Sequence, residues 1–215
     1  FLLQSEPVNA NWAEENLNTI RNLMEHAALY RRALAPVAIT VGVLGLAAAA
    51  FAQAVGWTEP NRFAASWMGV AGVSMLSALL LIRRQALKGG EEFWSPPMRR
   101  VAQAMAPMLA VGLGLGLLEL LRAPMEGDGI RLAAIWMILY GGALHSAGFF
   151  MQRGLRLLGW FFVVIGIICL GISEFWEISW LVDSQAHWVM GWAFGVNNLA
   201  YGLYLKLTAE PLETE

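Results

Sequence analysis

Six apolar segments, each about 20 residues long, constrain the fold of this sequence more than any other feature. A bilayer core of about 30 Å is crossed by an α-helix of about 20 mostly apolar residues. Trp and Arg residues flank the ends of several segments, as membrane-interface anchors do. The segments cover about 34–56, 63–83, 101–122, 131–152, 157–174 and 188–206. The sequence therefore predicts an all-α, polytopic membrane bundle of six transmembrane helices over 34–206.

The composition excludes several other classes of protein. Of the 215 residues, 58% are hydrophobic and only 14% are charged, whereas soluble domains carry about 25% charged residues. With 14 Lys+Arg against 16 Asp+Glu, the chain has no basic excess with which to bind nucleic acid. The single cysteine, Cys169, excludes an internal disulfide and a Cys-based metal site. Motifs for nucleotide binding, serine hydrolysis and zinc proteolysis are absent, so we predict no catalytic residue, metal site or cofactor.

The distribution of Lys and Arg predicts how the bundle is oriented. With six spans, both termini lie on one side of the membrane, and loops rich in Lys and Arg face the cytoplasm. The side of the termini carries Arg21, Arg31, Arg32, Arg83, Arg84, Lys88, Arg99, Arg100, Arg153, Arg156 and Lys206. The other side carries only Arg62, Arg122 and Arg131. We therefore expect both termini in the cytoplasm.

Residues 1–33 have a different pattern from the spans. Asn11 and Glu14 have the spacing of a capping box. Apolar residues then recur at steps of three and four, at Ala13, Leu17, Ile20, Met24 and Ala27. This predicts a cytoplasmic amphipathic helix, on the membrane surface or docked under the bundle. The segment lacks the features of a signal peptide, and we expect residues before Phe1. Residues 207–215 are predicted to form a cytoplasmic tail.

Two of the predicted helical hairpins are similar in sequence. Residues 64–84 align without gaps on 133–153, and Ala-Pro begins the span before each, at 35–36 and 106–107. The identical pairs are Ala64/Ala133, Ala65/Ala134, Trp67/Trp136, Met68/Met137, Gly72/Gly141, Ser77/Ser146, Ala78/Ala147 and Arg84/Arg153. The pattern indicates either that spans one and two share an origin with spans three and four, or a bias in composition.

Glycines and polar residues share helical faces in three spans. The faces comprise Gly112, Gly116 and Glu119 in span three, Gly141, His145, Gly148 and Gln152 in span four, and Gly191, Gly195, Asn198 and Gly202 in span six. In hydrocarbon, small residues let helices approach and polar side chains hydrogen-bond across the contact. We interpret these faces as packing surfaces. The alternative is a polar path between spans three, four and six, which Asn197 and Tyr201 would also line.

Two of these residues are ionisable within a predicted span. An intramembrane His is a functional hypothesis by default, so His145 could serve as a proton relay or as a ligand for haem or a pigment. Paired haem ligation needs a second ligand at the same depth, and neither His26 nor His187 is predicted there. We prefer a neutral His145 bonded to another helix. Glu119 has the i,i+3 spacing to form an ion pair with Arg122.

The predicted outer connection, 174–188, is rich in acidic and aromatic residues. Asp183 and His187, together with Glu174 and Glu177, offer oxygen and nitrogen ligands for a divalent cation. Their spacing matches no tight ligand motif. We therefore prefer an interfacial segment whose Trp side chains lie among lipid headgroups.

Two stretches of the chain carry a resemblance. They are Leu17-Asn-Thr-Ile-Arg21-Asn-Leu-Met24-Glu25, and Tyr140-Gly-Gly-Ala-Leu-His145 leading into Arg153-Gly-Leu-Arg156-Leu-Leu-Gly-Trp160. Both resemble segments of uncharacterised bacterial six-span inner-membrane proteins that have a cytoplasmic amphipathic helix before the first span. The resemblance implies a location in the bacterial inner membrane and carries no function or site residue.

Two classes of function follow from the sequence. The first is a non-enzymatic scaffold, sensor or accessory subunit of a membrane complex, formed with itself or with another membrane protein. Its basis is the scarcity of buried charge and the abundance of glycine faces. The second is a channel or carrier for a small solute that uses His145, Asn197, Asn198 and Tyr201. A redox or pigment-binding subunit acting through His145 is a third, weaker hypothesis.

Overall fold

A computed structural model describes residues 34–90, 93–122, 128–151, 153–175 and 185–208 of the chain. The N-terminal helix predicted within 1–33, the side chain of Gln152 and most of the connection 174–188 lie outside these residues. So does the tail beyond Thr208. Within the described residues the fold is entirely helical, without a β-strand. The all-α prediction is therefore confirmed for this part of the chain.

Five of the helices are long and apolar enough to cross a membrane. They are α1 (Leu34–Val55), α2 (Pro60–Gly89), α3 (Pro96–Leu120), α4 (Gly129–Ala147) and α5 (Arg153–Phe175). Proline occupies the first turn of α2 and α3, where its missing N–H costs no helical hydrogen bond. Four of the five extend beyond the predicted span at one end or both. In α2, α3 and α5 the helix continues through Arg and Lys residues that flank the apolar stretch.

The sixth predicted segment, 188–206, falls in a helical element, α6, that changes its winding. It consists of the α-helix Ala186–Met190, the π-helical segment Gly191–Val196 and the α-helix Asn197–Leu207, which follow one another without a break. The adjacent amides of Asn197 and Asn198 lower the hydropathy of this element. It is helical along the predicted span, but its three segments are short and none of them is one of the five long apolar helices.

One predicted boundary differs clearly from the structure. The fourth span was expected to reach residue 152, whereas α4 ends at Ala147 and residues 148–151 form turns. Because α5 begins at Arg153, a longer α4 would leave no residues for the reversal of the chain. The helical face that the sequence suggested, running from Gly141 to Gln152, therefore ends with Gly148.

Successive helices run in opposite directions, and this places charged residues at two ends of the bundle. The basic end contains the start of α1, the α2–α3 and α4–α5 connections and the end of α6. The acidic end contains the α1–α2 connection and the far ends of α3 and α5. Acidic residues in the described part of the chain lie at the acidic end, at Glu59, Glu119, Asp128 and Glu174.

Helix α4 lies at the centre of the bundle. It packs against α5, α3, α6 and α2. Half of its most apolar stretch is buried, compared with 6% for α2. Trp136 of α4 donates an indole hydrogen bond to the carbonyl oxygen of Gly112 in α3 at 2.8 Å. The helix predicted to carry His145 therefore has the largest buried share of the five apolar helices.

Small residues bring α1 and α6 into close contact. A Cβ atom placed on Gly42 would lie 2.6 Å from the backbone nitrogen of Leu199, and one on Gly195 would lie 2.7 Å from the Leu46 side chain. The buried face of α1 has only small side chains, at Ala35, Ala38, Gly42, Gly45, Ala49 and Ala52. Their alternating steps of three and four residues are typical of antiparallel helices that pack along their length.

Helices α4 and α5 are joined by a second glycine contact. A Cβ atom on Gly141 would lie 2.6 Å from the carbonyl oxygen of Gly159, and one on Gly159 would lie equally close to the backbone nitrogen of His145. Gly166 meets Ala134 and Ile138 in the same way. Each of these glycines therefore permits a separation between the backbones that alanine would not.

The two similar hairpins have partly equivalent surroundings. Ala64 and Ala133 are both fully buried, and Trp67 and Trp136 both donate indole hydrogen bonds to other elements. The glycine pair differs, because Gly141 touches α5 whereas a Cβ atom on Gly72 would have no neighbour within 4 Å among the described residues. The face of α2 that corresponds to the α5-binding face of α4 is therefore open.

Candidate functional site

The most completely bonded polar side chain lies at the acidic end, where α6 meets α2. His187 is 1% exposed. Its Nδ1 accepts a hydrogen bond from the indole nitrogen of Trp67 at 3.0 Å, and its Nε2 lies 2.8 Å from the carbonyl oxygen of Trp57. Since Nδ1 accepts, Nε2 carries the proton and donates to Trp57. The neutral ring therefore satisfies both of its nitrogens.

Aromatic rings surround this imidazole, and we call the group of Trp57, Phe63, Trp67 and His187 the imidazole cluster. The Phe63 ring lies edge-on to His187 at 5.1 Å, and Trp67 stacks with it at 6.4 Å. Burial among these rings lowers the pKa of His187, and the hydrogen bond to Trp57 opposes that shift only in part. A protonated ring would also direct a second N–H toward the donor of Trp67. The cluster therefore favours neutral His187.

A second polar contact lies within the bundle, between α4 and α6. The Tyr140 hydroxyl donates to Asn198 Oδ1 at 3.4 Å, and Asn198 Nδ2 donates to the carbonyl oxygen of Phe194 at 2.8 Å. The rings of Tyr140, Phe162 and Phe194 form a triangle with centroids 5.0–5.4 Å apart. Aromatic side chains therefore fill the space beside the buried amide of Asn198.

The two other candidate polar residues of α6, Asn197 and Tyr201, lie in different surroundings from Asn198. Asn197 is partly exposed, and its Nδ2 is buried with no hydrogen-bond partner among the residues that the structure describes. The hydroxyl of Tyr201 lies near the start of α5, since a Cβ atom on Gly154 would be 3.3 Å from it. These two residues therefore do not share the contact that Asn198 makes with Tyr140.

Glu119 and His145 lie near opposite ends of the bundle. Glu119 Oε2 is 3.4 Å from a guanidinium nitrogen of Arg122, and its Oε1 is buried with no hydrogen-bond partner in the described ranges, which leave out 123–127. His145 lies two residues before the end of α4, with its ring edge-on to Phe149 and Trp160. His145 and His187 are also at opposite ends, an arrangement unsuited to ligating one haem together.

The remaining candidate glycines contact other helices directly. Gly112 and Gly116 of α3 both face Trp136, and Gly116 also meets Met68 of α2. Gly191 and Gly202 of α6 face Ala49 and Ile39 of α1. Gly148, just after α4, meets the backbone and side chain of Arg156. All of these positions lie between elements of the described bundle.

The structure therefore brings together fewer of the candidate polar residues than a polar path would require. Asn198 is joined to Tyr140, while Glu119, His145, Asn197 and Tyr201 have separate surroundings. The sequence reasoning did not identify Trp67, Tyr140 or the bonding role of His187. One signal was available, because Trp67 and Trp136 are identical positions of the two similar hairpins. No known protein family, curated protein or solved structure matches the chain.

Proposed function

We propose that this chain is a non-enzymatic, six-span protein of the bacterial inner membrane that acts as a scaffold, sensor or accessory subunit of a membrane complex. Five apolar helices support the membrane location. The helical segments of α6 have 5, 6 and 11 residues, which at about 1.5 Å per residue is enough to cross a core of about 30 Å. Contact with α1 along its length supports α6 as the sixth span.

Ion pairing supports a cytoplasmic location for the basic end. Each Arg at the acidic end has an acidic partner, in the pairs Arg62–Glu59 (2.8 Å), Arg122–Glu119 (3.4 Å) and Arg131–Glu174 (3.1 Å). The basic end has Arg83, Arg84, Lys88, Arg99, Arg100, Arg153, Arg156 and Lys206, with no acidic residue in the described part of the chain. This asymmetry follows the positive-inside rule and would place both termini in the cytoplasm.

The observation that carries the proposal is that polar side chains between the helices bond to the protein itself. His187 and Asn198, which are buried, and Trp136, which is half-buried, each hydrogen-bond to another element. The buried polar atoms without a partner among the described residues lie on Glu119, His145, Asn197 and Arg156, at both ends of the bundle and within α6 rather than in one group. Bonds of this kind hold helices together, which suits a protein whose role is structural or regulatory.

The open face of α2 supports association with another membrane protein or with a second copy. Gly69 and Gly72 lie on this face, and in the described part of the chain a Cβ atom on either would have no neighbour within 4 Å. The corresponding face of α4 is covered by the glycine-rich helix α5. Small residues on an uncovered transmembrane helix allow a partner helix to approach closely.

The first experiment measures the mass of the protein after extraction in a mild detergent. Light scattering after size exclusion should give a particle larger than one chain, and Gly69→Leu together with Gly72→Leu should reduce its mass. The double variant Gly114→Leu with Gly171→Leu is the matched control, because these glycines also have no neighbour within 4 Å. A monomer that retains no membrane protein through purification would contradict the proposal.

A second experiment separates this function from that of a channel or carrier. After Cys169→Ala, single cysteines are placed at Asn197, Asn198 and Tyr201 and treated with a membrane-impermeant, water-soluble thiol reagent. We expect no labelling at Asn198, because it is buried beside aromatic rings. A cysteine at Arg62, which is exposed, is the positive control. Rapid labelling of all three α6 positions would favour a water-filled path.

A further inference from the structure

Four side chains form a cluster where α4 turns into α5 at the basic end. We call His145, Phe149, Arg156 and Trp160 the hairpin cluster. The His145 ring lies 5.1 Å from Phe149 and 5.5 Å from Trp160, edge-on to both. The Arg156 guanidinium carbon lies 5.2 Å from the centroid of the Phe149 ring, in a cation–π arrangement. The cluster therefore combines a cation and an imidazole with two aromatic surfaces.

Two buried polar atoms of this cluster lack a hydrogen-bond partner among the described residues. His145 Nδ1 and Arg156 Nε are both buried, and neither has a partner in the part of the chain that the structure describes. Burying a polar group without a partner is unfavourable, and a cation is more costly than a neutral group. An anion that approached Arg156 would compensate for this cost, since guanidinium and phosphate form paired, charge-assisted hydrogen bonds.

The part of the chain that the structure describes supplies no anion here. The described acidic residues lie at the acidic end, on the opposite side of the bundle. Glu91 and Glu92 belong to the α2–α3 connection, outside the described residues. Arg156 lies in the first turn of α5, where the helix dipole adds positive potential. The electrostatic environment of the cluster therefore favours a negatively charged ligand.

The position of the aromatic rings indicates where that ligand comes from. Phe149 is 64% exposed and Trp160 is 55% exposed, so both lie on the outer surface of the bundle rather than in a cavity. Trp160 lies about two turns further along α5 than Arg153, at the depth where aromatic residues meet headgroups and upper acyl chains. Such a surface is reached from the surrounding bilayer.

We propose that the hairpin cluster binds the phosphate of an anionic phospholipid in the leaflet at the basic end. Arg156 donates to the phosphate oxygens, and His145 supplies an additional polar contact. Phe149 and Trp160 pack against the glycerol and the first carbons of the acyl chains. The site differs from the exposed arginines near the end of α2 and the start of α3, because its cation is half-buried against a ring.

The test measures lipid binding to the full chain by native mass spectrometry in a non-ionic detergent. Phosphatidylglycerol and phosphatidylcholine with identical acyl chains are titrated separately. We expect phosphatidylglycerol to bind the unmodified protein more tightly, and Arg156→Ala to weaken that binding about tenfold, the effect of losing one strong charge-assisted contact. Arg153→Ala is the matched control, because it removes the same charge from an exposed side chain in the same helical turn.

Three results would overturn the proposal. Equal losses in the two arginine variants would indicate attraction to the whole basic end. Equal binding of the two lipids would show that the site does not select an anion. Displacement of phosphatidylglycerol by inorganic phosphate at comparable concentration would identify free phosphate as the ligand. If Arg156→Ala does not fold, Trp160→Ala should still reduce phosphatidylglycerol binding severalfold, and unchanged binding would contradict the proposed lipid contact.

Discussion

The indole nitrogen of Trp67 and the imidazole Nδ1 of His187 are joined by a hydrogen bond of 3.0 Å across a sequence separation of 120 residues. Trp67 belongs to α2, and His187 belongs to the first segment of α6. The same imidazole also reaches the carbonyl oxygen of Trp57, just after α1. One buried side chain therefore holds the second and sixth helices and the α1–α2 connection together.

Replacing His187 should destabilise the bundle. His187→Ala leaves the Trp67 donor and the Trp57 acceptor without a partner, and each unsatisfied buried group costs about 1–3 kcal/mol. We expect a clearly lower melting temperature in detergent, measured by the intrinsic tryptophan fluorescence of the protein. His187→Gln keeps a donor and an acceptor and should lose less. A melting temperature for His187→Ala equal to that of the unmodified protein would show that these bonds do not stabilise the fold.

Stability should fall at mildly acidic pH. The folded protein lowers the pKa of His187, whereas an unfolded His has a pKa of about 6.5. Above about pH 6.5 both states hold a neutral ring, and the full stability is present. Below it the unfolded state binds a proton that the folded state resists, so stability falls by up to about 1.4 kcal/mol per pH unit until the folded pKa is reached.

The measurement for this prediction is the melting temperature from pH 8 to pH 5. The unmodified protein should lose more stability below about pH 6.5 than His187→Gln, which has no imidazole at this position. Both proteins share every other titrating group, so their difference isolates His187. Parallel curves for the two proteins would contradict the role of this ring.

Alanine at two equivalent glycines of the similar hairpins should affect stability differently. In Gly141→Ala the new Cβ would lie 2.6 Å from the carbonyl oxygen of Gly159, so α4 and α5 must separate. Overpacking of this kind costs about 1–3 kcal/mol. In Gly72→Ala the new atom meets nothing within 4 Å, and the better helix propensity of alanine should leave stability unchanged or slightly higher. Thermal melting of both variants, under conditions that give the same oligomeric state, tests the difference.

The bond between Tyr140 and Asn198 should contribute modestly to stability. Its length of 3.4 Å places it among weak contacts, and interhelical hydrogen bonds in membranes average about 0.6 kcal/mol. Tyr140→Phe, Asn198→Leu and the double variant form a thermodynamic cycle that isolates the pair. We expect a coupling of about 0.6 kcal/mol, measured by unfolding in mixed micelles. A coupling of zero would mean that Asn198 stabilises the helix only through the carbonyl of Phe194.

The helices could be predicted from sequence because each long apolar stretch carries its own signal. The bounds of α1 agree with the expectation to one residue, and an apolar stretch ends close to where the helix ends. The end of α4 was harder to predict from the sequence. Residues 148–151 are as apolar as the helix before them, and only the need to turn back into α5 stops the helix at Ala147.

Contacts between distant residues could not be predicted in the same way. His187 has no local pattern that selects Trp67 as its partner, because that choice depends on how α2 and α6 lie against each other. The small face of α1 was present in the sequence, from Ala35 to Ala52, yet it has no polar residue that would distinguish it from other Ala-rich stretches. In the structure, Gly195 and Leu199 of α6 pack against this face.

The π-helical segment of α6 gives the bundle a local tolerance to changes in chain length. A π-turn contains more residues than an α-turn and often accommodates one extra residue. A regular helix with one residue fewer could therefore connect His187 to Asn198 and leave both side chains facing their present partners. Helix α4 has no π-turn, so deleting one of its residues would rotate the side chains beyond the deletion by about 100° around the helix axis. Of the helices that the structure describes, α6 is therefore suited to losing a single residue while His187 and Asn198 keep their hydrogen bonds.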